Sequence, residues 1–108
     1  MKYIKHWKEG DILAQRRMFS ISIINSARFL KMPISSRLLY FDLGMRADDD
    51  GIVEAFSVIR TTGATEDDLR VLVSKGFLQV LDSNRLTIYI SDWRENNKHK
   101  KKAILRNE

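Results

Sequence analysis

The side chains of this sequence that can do chemistry are mostly cations, and they fall in clusters. Arg16-Arg17 comes early, Arg60, Arg70, Ser74 and Lys75 lie in the middle, Asn84-Arg85 follow, and Lys98, Lys100, Lys101 and Lys102 come near the end. Lys and Arg neutralise phosphates and release their counterions, and Arg can also grip a guanine edge through two parallel bonds. Ser and Asn touch sugar and phosphate without choosing a base. The chemistry these types imply is contact with a nucleic acid. Carboxylates run together in Asp48-Asp49-Asp50-Gly51. Calcium loops space their acids alternately over about a dozen residues, and consecutive carboxylates do not converge on one ion. A turn, with Asp side chains bonded to nearby backbone, is therefore expected there.

Other site chemistries lack their residues. Cysteine is absent, so there is no disulfide, thiolate nucleophile or thiolate metal site, and a reducing compartment is allowed. His6 and His99 stand far apart with no acid at ligand spacing. The glycines are scattered as turn and cap residues and form no phosphate loop. No nucleophile has a base beside it. We expect no enzyme, no cofactor and no metal. No segment approaches the roughly 18 apolar residues of a membrane span, and the start lacks the apolar run of a signal peptide. A soluble, cytoplasmic protein is the expectation.

The elements that position the cations can be read from local signals. A chain of 108 residues with 44% hydrophobic content makes one domain. The stretch Phe56 to Phe77 reads as two short helices around a tight turn, with Gly63-Ala64 at the bend. Thr65 and Asp68 have the spacing of a capping box, and Leu69, Leu72 and Val73 recur at helical spacing before Gly76. Upstream, Asn25-Ser26 is placed to cap a short helix that Pro33 ends. Ser35 or Ser36 then caps a helix from Leu38 to Arg46, apolar on more than one face, with Ile34 stapled against its first turn. Ile52-Val53 is a short strand. Residues 77 to 81 and 86 to 90 form a hairpin around Asp82-Ser83-Asn84-Arg85, and Trp93 packs back on the core. This order gives a mainly α domain with a small β hairpin, a winged helix-turn-helix. The divisions are an N-terminal extension (1–15), the domain (16–97) and a basic tail (98–108).

Charge is unevenly spread along this frame. The total is +5 and the pI about 9.7, but residues 1–17 carry net +3, residues 94–108 net +4, and the body between them net −2. The ends, more than the body, are expected to grip phosphates. In the second helix of the pair, Arg70 is the residue best placed for a guanine, with Ser74 beside it and Lys75 near a phosphate. Glu66, Asp67 and Asp68 stand at the start of that helix. They either repel DNA there or serve only to complement the helix dipole, so protein contact through the same face is a rival reading.

Several motifs resemble a known family. They are Arg16-Arg17-Met18-Phe19, Arg28-Phe29-Leu30 with Met32-Pro33, the block from Leu39 to Gly51, Gly63-Ala64 ahead of Glu66-Asp67-Asp68-Leu69, Lys75-Gly76-Phe77 and Trp93-Arg94-Glu95-Asn96-Asn97. Over residues 15 to 97 the chain resembles the N-terminal domain of phage replisome organiser proteins, related in architecture to DnaD-type primosome proteins. The resemblance implies a winged-helix domain of a bacterial host or its prophage that binds double-stranded origin DNA, with single-stranded DNA as a further possible ligand. It also implies a homo-oligomer and recruitment of a helicase loader. Asp92 stands where the family usually has His, and a Lys run replaces the usual continuation after Asn96-Asn97. Members are generally longer, so a fragment or a short relative is expected. Two alternatives stay open: an interaction or oligomerisation module of a replication protein, and a small transcriptional regulator of the same fold.

Overall fold

Residues next to each helix start set where the first described helices begin. A computed structural model describes residues 16–98. The extension 1–15 and the tail beyond Lys98, with His6, His99, Lys100, Lys101 and Lys102, lie outside the described residues. After a short turn of helix α1 (Ile21–Ile24), the Ser26 hydroxyl accepts from the Phe29 N–H and starts α2 (Ala27–Leu30), as its position predicts. Pro33 does more than end this segment. With φ −57° and ψ 149° it occupies the N-cap position of α3 (Ile34–Arg46), and its carbonyl accepts from the N–H groups of Ser36 and Arg37.

The expected serine cap and isoleucine staple are thus corrected. Ser35 and Ser36 fall inside the first turn of α3, and Ile34 stays 74% exposed. The serine hydroxyls instead donate across the molecule, Ser35 to Asp68 Oδ1 and Ser36 to the Asp68 carbonyl. α3 is apolar on more than one face, as expected, but it is not buried on each of them: Leu39, Tyr40 and Leu43 are buried, while Leu38 and Met45 face solvent.

The Asp loop then leads into β1 (Ile52–Glu54), α4 (Ala55–Thr62) and α5 (Glu66–Ser74). Gly63 ends α4 in the left-handed conformation, φ 83°, which favours glycine. Strands β2 (Leu78–Asp82) and β3 (Thr87–Ile90) form the hairpin, and a single turn, α6 (Trp93–Asn96), follows. The hairpin is part of a three-stranded antiparallel sheet, order β1-β3-β2, with Ile52 opposite Tyr89 and Leu78 opposite Ile90. About half of the described residues are helical.

The core lies between the helices and one face of this sheet. Ile88 and Ile90 point into it, and Tyr89, between them, points to the other face, as strand alternation requires. Phe29, Tyr40 and Phe77 pack edge to face around the middle, with ring centroids 5.2 to 5.6 Å apart. Such pairs add about 0.5–1.5 kcal/mol each beyond burial. Trp93 closes the sheet end: its indole N–H donates to the Asp49 carbonyl, and Gly51 lies against its ring.

Candidate nucleic-acid interface

The geometry of α5 follows from its first residues. Thr65 Oγ1 accepts from the Asp68 N–H, and Asp68 Oδ2 accepts from the Thr65 N–H, so the predicted capping box is formed in full. Asp68 also accepts from Ser35 Oγ, and this bond, with those from Thr65, holds its carboxyl below the usual carboxylate range. One of the three acids at this helix start is therefore occupied by structure. The other two, Glu66 and Asp67, are exposed and both pair with Arg70.

Leu69 and Leu72 anchor α5 in the core, opposite a face that carries Arg70, Ser74 and the cap residue Lys75. The Ser74 hydroxyl donates to the Val71 carbonyl. The Lys75 carbonyl accepts from Arg28, whose guanidinium lies 4.0 Å from the centre of the Phe77 ring, while the Lys75 side chain stays exposed. Arg60, on α4, is exposed and lies over the Phe56 ring.

At the hairpin tip, the Asn84 N–H donates to Asp82 Oδ1, which fixes the turn and leaves the Asn84 and Arg85 side chains in solvent. This tip adjoins the start of α5: Ser83, Asn84 and Arg85 line one shallow depression with Glu54, Phe56 and Glu66. The fold thus places the predicted cations of α5 and of the tip on neighbouring elements.

The remaining predicted cations sit elsewhere. Arg16 and Lys98 line a groove with Tyr89 and Trp93, on the other face of the sheet. Arg17 departs from the expectation of a phosphate contact. Its guanidinium donates to the Ala47 carbonyl at 2.8 Å, pairs with Asp49 at 3.2 Å and lies 5.1 Å from the centre of the Trp93 ring, with only 10% of the side chain exposed. It is a structural cation that ties the first described residues to the Asp loop. In that loop, Asp48 Oδ1 accepts from the N–H groups of Asp50 and Ile52, the turn geometry expected of it.

Sequence reasoning missed Arg94 as a site residue. It is exposed and lines the same groove, and its sequence signals are its place in the motif from Trp93 to Asn97 and in the basic segment that begins there. No helix among the described residues is long and apolar enough to cross a membrane. No family model matches the chain, and neither a curated protein nor a solved structure matches it.

Proposed function

We propose that the domain is a winged helix-turn-helix that binds duplex DNA, with α5 as the helix presented to the major groove and the β2–β3 hairpin as the wing. In this reading it is the DNA-binding part of a phage-type replication initiation protein that hands its site to a helicase loader. The observation that carries the DNA reading is that α5, held by a complete capping box and exposed along Arg70, Ser74 and Lys75, meets at its first residue, Glu66, a hairpin tip bearing Asn84 and Arg85.

The acids at the start of α5 do not forbid this. Asp68 is consumed by the cap, and exposed pairs such as Arg70–Asp67 contribute about 0–1 kcal/mol. Exchanging Asp67 for a phosphate or a guanine edge costs Arg70 little, whereas a bidentate guanine contact discriminates by about 1–3 kcal/mol. Lys75 and Arg85 then hold backbone phosphates on either side.

A salt titration of affinity for a random-sequence duplex tests the reading. Two phosphate contacts, by Lys75 and Arg85, predict a log–log slope of about −1.8 or steeper. Arg70→Glu, with an unchanged melting curve, should weaken binding by about tenfold, or ~1.4 kcal/mol. Salt-independent or absent binding would contradict the DNA reading.

A second reading, an interaction module, draws on a different observation. β2 lies at the sheet edge with Val80 and Leu81 exposed, at 44% and 53%, and an open edge strand can pair with another chain. Self-association without duplex binding would favour it.

A further inference from the structure

We infer that the groove behind the sheet is a second phosphate-binding site, separate from the α5 and hairpin surface, that takes the sugar-phosphate backbone of a nucleic acid. The inference rests on the DNA reading for the class of its partner and adds a place that reading does not use.

Three observations carry it. First, the groove lies on the opposite side of the sheet from the core. Tyr89 lines it, while Ile88 and Ile90 on the same strand point the other way into the helices. It shares no lining residue with the depression at the hairpin tip.

Second, its walls are cationic. Arg16, Arg94 and Lys98 are exposed around it, and Arg16 and Arg94 have no ion-pair partner among the described residues. The opposing charges are largely engaged: Asp49 is held by Arg17, and Glu95, on α6, pairs with Lys98 at 3.6 Å. Asp50 is the acid on the rim with no ion pair among the described residues.

Third, the site is held together by the fold. Asn97 Oδ1 accepts from the Met18 N–H, and Asn96 Oδ1 accepts from the Ser20 N–H at 2.8 Å, which pins the stretch after Arg16 onto α6. Two cationic segments nearly eighty residues apart in sequence are thereby brought into one groove. Phosphates are the groups such a groove suits, since neutralising each one releases counterions. The Trp93 ring is buried and overlaid by Arg17, so it offers no face for base stacking.

The test uses the full chain and the double variant Arg16→Gln/Arg94→Gln, titrated against a labelled random duplex and a labelled single strand over a range of salt. Both side chains are exposed, so the melting curve should not move. Loss of two phosphate contacts should flatten the log–log slope by about 1.8 for duplex or about 1.4 for single strand, and the arm that changes identifies the form bound. Combining this variant with Lys75→Gln/Arg85→Gln should add the two losses, as separate sites require. If the unaltered chain binds and the Arg16/Arg94 variant keeps its slope, the groove proposal fails while the α5 reading stands. If the unaltered chain binds no nucleic acid, or binds only anionic lipid vesicles, both fail.

Discussion

Asn96 is the side chain on which the meeting of the first and last described segments depends. It is buried, its carbonyl oxygen accepts from the Ser20 N–H, and its amide donates to the Tyr40 hydroxyl at 2.8 Å. Asn96→Ala leaves both partners unsatisfied inside the protein and should cost about 2 kcal/mol or more, against about 1 kcal/mol for Tyr40→Phe, as read by denaturant melts. Two acids respond to pH in opposite senses. Burial, countered by Arg28 and reinforced by Glu95, raises the carboxyl of Asp92, whose Oδ2 has no hydrogen-bond partner. Its charged form is therefore a burden on the fold, and stability should be lost as pH rises through the raised value. Asp92→Asn should increase the melting temperature at neutral pH and abolish that loss. Asp68, held low by Ser35 and Thr65, contributes stability above its unfolded value that is lost as pH falls through the folded one. Of these roles, the Asp68 cap was legible because its partner stands three residues away. The bond from Ser35 and the links of Asn96 were not, since they join residues whose separation of 33 to 76 positions leaves no local pattern.

The elements were readable to the degree that their ends are fixed by neighbours. α5 and the turn before it follow from Thr65, Asp68 and Gly63, all within a few residues, and the structure keeps each of them. The start of α3 was misplaced because two serines look like caps, while Pro33, with φ already near the value required, takes the position and frees them for Asp68. Thr65→Ala should remove one half of the capping box and cost about 1 kcal/mol, visible as a lower melting temperature. Two glycines separate backbone strain from crowding. Gly51 and Gly63 share φ 83°, but a Cβ at Gly51 would stand 2.5 Å from Trp93 Cγ, whereas at Gly63 it meets open space. Gly63→Ala should cost about 1–2 kcal/mol for the left-handed backbone. Gly51→Ala should cost clearly more, because the ring that closes the sheet end must move.

On the scale of the whole molecule, charge is sorted by surface more than by sequence position. Arg70, Lys75 and Arg85 occupy α5 and the hairpin tip, while Arg16, Arg94 and Lys98 meet behind the sheet. The uneven charge of the chain was plain from composition. That Arg16 and Lys98 come together was hidden, since it depends on Asn96 and Asn97 reaching back to residues 18 and 20. The most direct measurement is amide chemical-shift mapping of the chain as a short duplex is added. A DNA-binding winged helix predicts the largest changes along Arg70, Ser74 and Lys75 and at Asn84 and Arg85. A spectrum unmoved at those positions, or shifts confined to the Val80–Leu81 edge as the chain self-associates, would contradict it.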